Sequence, residues 1–327
     1  MLKPKLNRLL ITVIALTTVA CSNHGAGDGV EVKFHRFEQL LFATPAQNLQ
    51  QTLISAQPEY NTDLLNIAPL DEQYMAMVQG FVADPVVSDI YAVVDSLYHD
   101  LGWVEVELTS ALGRAKHLCP SINYNHFYTL ITADFQDYRN RVFCDDHSLA
   151  ISIDRYALPA LGRYQYFGVP IYLVNLCTRD YIVADCMAAI GRANIPLPDD
   201  EMTLLDYMVA EGKTLYFLEQ TLPDANDTII TRYTSQQLDW MRKNEGNVWA
   251  YLVQNQLLYE TDYSQLHNLL DDAPKTNAFG DGSAPRSVAY IGWQIVRRYA
   301  KKTKTSLPDL MENTDARQIL QQSSYRP

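Results

Sequence analysis

The sequence predicts an α+β fold that is predominantly helical, with a small mixed or antiparallel sheet in the middle of the chain. Apolar residues recur at helical spacing over most of the chain. From His126 to Asp154 they give way to short aromatic or β-branched runs separated by turn-rich pieces. Beyond the leader, no run of about 18 or more apolar residues appears. We therefore expect a single globular domain over residues 30–327.

Residues 1–20 are predicted to form a lipoprotein signal peptide. Three basic residues, Lys3, Lys5 and Arg8, precede a short apolar run, and small residues then lead into Cys21. This junction resembles a lipobox, with Thr18 where that pattern usually has leucine. Acylation of Cys21 would anchor the mature protein to a membrane. Plain secretion is the alternative.

The segment that follows the signal peptide is predicted to be a flexible tether. Residues 21–29 run from the lipidated cysteine through a polar, glycine-rich stretch. No acidic run follows Cys21, which favours a periplasm-facing protein over surface export. Without the leader, 23 basic residues face 38 acidic ones, a formal charge of −15. This balance disfavours nucleic acid and anionic lipid surfaces as partners.

The first part of the domain, about residues 30–120, is expected to be mostly helical. Val30 to Phe34 alternates as a short strand does, and an amphipathic helix begins at Arg36. Asp84 followed by Pro85 is typical of an N-cap and a first-turn proline. The next helix ends at Pro120 and has a stripe of apolar residues: Val104, Leu108, Ala111, Leu112 and Ala115.

The second part, about residues 121–327, is expected to combine the sheet with further helices. The predicted strands are His126–Thr132, Arg141–Cys144 and Leu149–Asp154. The aromatic-rich stretch Pro159–Leu176 either lines a groove or packs in the core. The predicted helices are Tyr181–Arg192, Met202–Leu222, one that a Thr234–Gln237 capping box begins, a separate one in Val248–Tyr259, Arg286–Ala300, and a last short helix before Tyr325.

Glu211 is the most informative residue of the predicted helices. It falls near the middle of an apolar stripe formed by Leu204, Met208, Leu215 and Leu218. A carboxylate removed from water there needs protonation, an ion pair, a hydrogen-bonded network or a metal. Arg286, at the start of the predicted helix Arg286–Ala300, is a candidate ion-pair partner. Gly212 and Gly292 each allow another backbone to approach closely.

The sequence contains no recognisable catalytic motif. HExxH, GxSxG, a P-loop, and GxGxxG before a helix are all missing, and no cysteine has a nearby ordered histidine. Four cysteines remain after Cys21, without a metal-binding spacing: Cys119, Cys144, Cys177 and Cys186. They are either buried free thiols or members of one or two disulfides whose pairing the spacing does not determine.

Several stretches in one order resemble the gliding motility lipoprotein GldB family of Bacteroidetes. They are the lipobox at Cys21, RFEQLLF, LAISIDRYALPALG, TLLDYMVAEGKTLYFLEQTLPD, TSQQLDWMRKNEGNVWAYLVQNQLLYETD, YIGWQIVRRYA and ILQQSSYRP. The likeness covers nearly the whole mature chain. Pro285 stands before Arg286 where the family has glycine. The resemblance implies a membrane-anchored protein of the cell envelope that is required for gliding in species that glide.

The family is also similar in outline to predicted zinc peptidases of the gluzincin type. Those enzymes have HExxH on one helix and a third ligand, Glu followed by Gly, on the next. Glu211 and Gly212 correspond to the second element, whereas the HExxH positions hold Asp185, Cys186, Met187, Ala188 and Ala189. Asp185 and Glu211 would then be the remains of a metal site that lacks both histidines and the catalytic glutamate. The resemblance thus implies a metallopeptidase-like fold with neither metal nor cofactor.

Three functions are compatible with these observations. The first is a non-enzymatic envelope lipoprotein that binds a protein partner and supports gliding motility or the type IX secretion machinery. The second is a residual zinc-dependent hydrolase or peptidase. The third is a lipoprotein that binds a glycan or peptide, for which the aromatic stretch Pro159–Leu176 is the support. The missing motifs favour the first.

Overall fold

The computed structural model describes residues 30–60, 70–135, 140–162, 165–198 and 201–327. The predicted signal peptide, Cys21 and the tether lie outside these ranges. The described chain is predominantly helical with one small mixed sheet, which confirms the predicted α+β class. Within it, no single helix is long and apolar enough to cross a bilayer. Two consecutive helices, Glu72–Ala83 and Pro85–Tyr98, satisfy that test only together and are bent by 65°.

Four strands and a succession of helices make up the described chain. The strands are β1 (Phe34–Arg36), β2 (His126–Leu130), β3 (Val142–Cys144) and β4 (Ser148–Ser152). The helices before the end of the sheet are α1 (Phe37–Ala43), α2 (Leu49–Ala56), α3 (Glu72–Ala83), α4 (Pro85–Tyr98) and α5 (Gly102–Leu118). Those after it are α6 (Leu158–Leu161), α7 (Ile171–Val174), α8 (Ile182–Ala193), α9 (Leu204–Thr221), α10 (Asp227–Thr231), α11 (Ser235–Gln254), α12 (Tyr263–Leu270), α13 (Ser287–Thr303), α14 (Leu307–Glu312) and α15 (Ala316–Ser323).

The sheet has the strand order β1-β2-β4-β3. β1 is parallel to β2 and β2 is parallel to β4, whereas β3 runs antiparallel to β4. Successive side chains of a strand point to opposite faces. Phe127, Leu149 and Ile151 accordingly enter the main core, while Tyr128 and Ala150 pack in a smaller core with α1, α2 and α3. The sheet therefore separates a small N-terminal layer from the larger helical body.

Helices α9 and α13 form the centre of the larger body. A Cβ atom added to Gly292 would lie 1.8 Å from the carbonyl oxygen of Met208, and one added to Gly212 would lie 2.4 Å from the Gly292 backbone. The two backbones are thus in direct contact, as both glycines predict. The four apolar residues of the predicted stripe on α9 are buried around this crossing.

The C-terminal segment packs back onto these helices. Lys213 of α9 is buried and donates to the main-chain carbonyl of Met311, at 3.2 Å, and to that of Asn313. Burial lowers the pKa of this ammonium to about 8. Tyr325 is also buried, and its hydroxyl donates to Glu245 at 2.7 Å. The end of the chain is therefore part of the core.

The structure corrects two predicted elements. The first strand begins at Phe34 instead of Val30. The two helices predicted after Thr234 are one helix, α11, which continues through the polar stretch Lys243–Asn247 and ends at Gln254. The capping boxes at Thr234 and Thr203 begin α11 and α9, although only the first was predicted.

The four cysteines in the described ranges are free thiols.

Gly292→Ala is expected to destabilise the protein by about 3 kcal/mol or more, because the new methyl group would force two helix backbones apart. Gly246→Ala is the matched control. Gly246 lies inside α11 with open space around it, so alanine there should stabilise the protein by up to about 1 kcal/mol. Urea unfolding of the purified variants measures both effects. A Gly292→Ala protein as stable as the parent would contradict the close crossing.

Candidate functional site

Asp185 is buried on α8 and is held by three donors. Arg141 Nε donates to its Oδ2 at 2.9 Å, and the Tyr156 hydroxyl donates to the same oxygen at 2.8 Å. Arg232 Nη1 donates to Oδ1 at 2.8 Å. The carboxylate is therefore bound by two guanidinium groups and a phenol, and its side chain is only 8% exposed.

Arg141 and Tyr156 are themselves deeply buried. Burial disfavours the Arg141 cation, yet the adjacent Asp185 keeps its pKa above the ordinary value. Burial and then Asp185 raise the pKa of Tyr156, which therefore stays a neutral donor. The Tyr156 carbonyl accepts from the hydroxyl of Tyr98 on α4 at 2.9 Å. This network joins the start of β3, the segment after β4, α8 and the end of α10.

Glu211 lies on α9 and is paired with two other arginines. Arg192 Nη2, from the last turn of α8, donates to its Oε1 at 2.9 Å, and Arg286 Nη1 lies 3.4 Å from the same oxygen. The Glu211 side chain is 24% exposed, so this carboxylate is half-buried where the apolar stripe predicts full burial. Arg286 Nε also lies 3.1 Å from Asp272 Oδ1, though not aligned as a hydrogen bond.

The Glu211 carboxylate is ionised in this setting. Its burial favours the protonated form, but Arg192 and then Arg286 more than reverse that effect and lower the pKa of Glu211 from 4.5 to about 2. Glu211 in turn raises the pKa of Arg192. Of the options open to a carboxylate on this stripe, the structure shows an ion pair.

Arg286 has an unusual backbone conformation. Its φ of 45° is left-handed, and it is the residue that immediately precedes α13. Glycine tolerates this region best, so the conformation is strained for an arginine. Its guanidinium bridges Glu211 on α9 and Asp272 after α12. Arg286 thus fixes the start of α13 against both neighbours.

A small cavity of about 220 Å³ opens beside Glu211 and Arg286. Tyr207 and Tyr263 form part of its wall, with ring centroids 6.4 Å apart. The Tyr263 hydroxyl donates to Asp271 at 2.6 Å. The remaining wall is apolar, from Met208, Leu270, Val288 and Ala289. The cavity therefore has the size of one large side chain.

Both candidate metal-site carboxylates are paired with arginine side chains in this arrangement. Asp185 and Glu211 share no arginine and belong to separate networks. The three residues that follow Asp185 on α8 are buried, and none of them is a histidine: Cys186, Met187 and Ala188. In the part of the chain that the structure describes, no group of three or more His, Cys, Asp or Glu residues could hold a metal ion.

Several aromatic residues of the stretch Pro159–Leu176 contribute to packing. The rings of Phe167 and Phe135 are in contact, tilted by 35° with centroids 4.4 Å apart, and the Tyr172 hydroxyl donates to the carbonyl of Asp272. Tyr166 is 83% exposed, and Tyr164 lies outside the described residues. Packing rather than a groove wall accounts for the buried members.

Sequence reasoning missed the partners Arg141, Arg192 and Arg232. A signal was present for two of them, since Arg141 begins a predicted strand and Arg192 ends a predicted apolar helix. A cation at the end of a buried element indicates a carboxylate partner nearby. Arg232 lies after α10, in a segment without a strong periodic pattern.

Fold and site together define a helical α+β protein whose two candidate metal-site carboxylates are engaged in arginine networks. The profile of the family described as gliding motility protein GldB matches residues 22–327. The chain therefore belongs to the GldB family, a family of membrane-anchored lipoproteins of the cell envelope. No curated protein and no solved structure showed a significant match.

Asp185→Ala is expected to destabilise the protein by about 3–5 kcal/mol, because it leaves the buried Arg141 cation without its carboxylate. The double variant Arg141→Met/Asp185→Leu should recover part of that loss, since Arg232 and the Tyr156 hydroxyl still lack their acceptor. Asp239→Ala is the control: its pair with Arg242, at 3.8 Å, is exposed and should contribute less than about 0.5 kcal/mol. Equal losses for Asp185→Ala and Asp239→Ala in urea unfolding would refute the structural role.

Glu211→Gln is expected to lower stability at pH 7 by about 1–3 kcal/mol, through loss of charge-assisted hydrogen bonds. The pKa of Glu211 in the folded protein, about 2, lies below its ordinary value of 4.5. The ionised carboxylate therefore makes its full contribution to the free energy of unfolding above about pH 4.5. The difference between parent and variant should disappear as the pH falls from about 4.5 to about 2. Unfolding curves across this range measure it.

Glu312→Gln provides the matched control, since Glu312 is exposed at the end of α14. It should change the free energy of unfolding by less than about 0.5 kcal/mol. A Glu211→Gln difference that stays constant down to pH 2 would show that the carboxylate is not held in its charged form.

Proposed function

We propose that this GldB family member is a non-enzymatic lipoprotein that binds a protein partner in the cell envelope and supports gliding motility or the type IX secretion machinery. The supporting observation is the pairing of Asp185 and Glu211 with two arginines each. A divalent cation at either carboxylate would face two guanidinium groups at close range, which strongly disfavours it. The geometry thus favours a structural use of both residues.

The anchoring and orientation in this proposal come from the leader. Lipidation at Cys21 would hold the domain at a membrane through the tether 21–29. The acidic balance of the chain and the missing acidic run after Cys21 support a domain that faces the periplasm and does not lie on anionic lipid.

The competing function is a zinc-dependent hydrolase, and metal content separates the two. Full-length protein purified without chelators is expected to contain no stoichiometric zinc, and Glu211→Ala should change stability alone. Stoichiometric zinc in the parent that is lost in Glu211→Ala would overturn the proposal, because Glu211 would then be a ligand.

A partner is expected to be recovered with the full-length protein by crosslinking in cells that glide. The same envelope protein should be recovered with Glu211→Gln, which keeps the fold, and lost with a chain truncated after the tether. Cells that carry the truncated chain should lose gliding or secretion. Normal motility and secretion in those cells would contradict the proposed role.

A further inference from the structure

A groove lies between α5, the start of α8 and the connection from α9 to α10. Its volume is about 470 Å³, within the range of about 300–1,000 Å³ that is usual for ligand sites. The floor is apolar and is formed by the buried Val183 and Ala184, while Leu222 and Ile229 also line the groove. Val106 stands at the rim with 71% of its surface exposed.

The rim of the groove is acidic. Glu107 on α5, Asp180 before α8 and Asp224 after α9 line it, and all three are exposed. Within the described ranges none of them forms a hydrogen bond or an ion pair. The one basic lining residue is Arg114, whose Nε donates to the carbonyl of Thr221 and whose Nη1 donates to Ser110. Three carboxylates thus face one guanidinium group, and the lining carries a net negative charge.

The groove is preformed by contacts on both of its sides. Arg114 ties α5 to the last residue of α9 at 2.7 Å. On the other side, Arg232 ends α10 in a left-handed conformation and bonds to Asp185, the residue after Ala184 of the floor. A rigid groove binds a ligand without first being ordered, which favours affinity.

We propose that this groove is the docking surface for a positively charged segment of the partner protein, inserted through at least one apolar side chain. The inference rests on the proposed partner-binding function and names the chemistry of that partner. Lysine or arginine side chains would meet the acidic rim, and an aliphatic side chain would fill the space over Val183 and Ala184. An anionic lipid surface would be repelled by the same rim.

The first test uses a short fluorescent Gly/Lys peptide with one central leucine and the full-length protein in detergent. Saturable binding is expected, weakened by salt and by replacement of that leucine with alanine. A Gly/Glu peptide with the same leucine should not bind, and empty micelles supply the blank. Absence of saturable binding to the parent would overturn the proposal.

Substitutions localise the binding to the groove. Glu107→Lys/Asp224→Lys should weaken it by about tenfold or more, whereas Glu72→Lys/Glu312→Lys, with the same change of charge on exposed sites elsewhere, should weaken it by less than about threefold. All these positions are exposed, and circular dichroism checks the fold. Equal weakening by both charge pairs would show general attraction to an acidic protein and refute the groove.

A photo-crosslinking residue in cells separates this inference from the proposed function. It is placed at Val106, on the rim of the groove, or at Val253, an exposed valine that does not line the groove. Partner crosslinks at Val106, lost with Glu107→Lys/Asp224→Lys, are expected. Crosslinks to the partner at Val253 alone would overturn the groove and leave the partner-binding function intact. A third result is that the peptide binds in the groove, no partner crosslinks at either position, and cells that carry the truncated chain have normal motility. The proposed function would then fail, and the groove would remain a site for basic peptides.

Discussion

The direct contact of α9 and α13 at Gly212 and Gly292 is the constraint on which the helical body depends. At this distance only a residue without a side chain fits on either helix. Glu211 directly precedes Gly212, so its position is fixed by the same contact and the Arg286 guanidinium reaches it from the start of α13. The strained backbone of Arg286 is held by ion pairs of its side chain with Glu211 and Asp272, as expected where the surrounding structure determines a conformation. One packing contact thus produces both the centre of the core and the charge pair beside the cavity.

The two arginine networks account for the presence of carboxylates on these helices. Two guanidinium groups offset the desolvation of each acid. In the more deeply buried Asp185 network, removal of the carboxylate leaves an uncompensated buried charge on Arg141. Apolar residues of similar volume are often as stabilising as a buried ion pair, so stability alone does not require the pair. Geometry is what the pairs supply. Asp185 joins α8 to the start of β3 and to the end of α10, and Glu211 joins α8 to α9 and α13.

Local patterns in the sequence predicted much of the fold and little of the site. Four features were predicted correctly because each depends on residues that are close in sequence. They are the start of α4 at Asp84 and Pro85, the Thr234 capping box, the glycines at the helix crossing and the central strands. The division of α11 into two helices was wrong, because the polar stretch Lys243–Asn247 hides the helical period that packing on α13 maintains. The sheet order and the partners of Asp185 come from residues far apart in sequence, Arg141 and Arg232 among them, and no local pattern encodes such pairing.

The Asp185 network and the acidic groove are parts of one arrangement. Arg232 ends α10 and is held by Asp185, while Ile229 of the same helix forms a wall of the groove and Ala184, adjacent to Asp185, forms its floor. A rotation of α10 would therefore have to break a buried charge pair, which is costly in a low-dielectric interior. Asp185 thus links the buried charge network to the residues that shape the groove. The carboxylate at position 185 therefore fixes the geometry of α10 through Arg232.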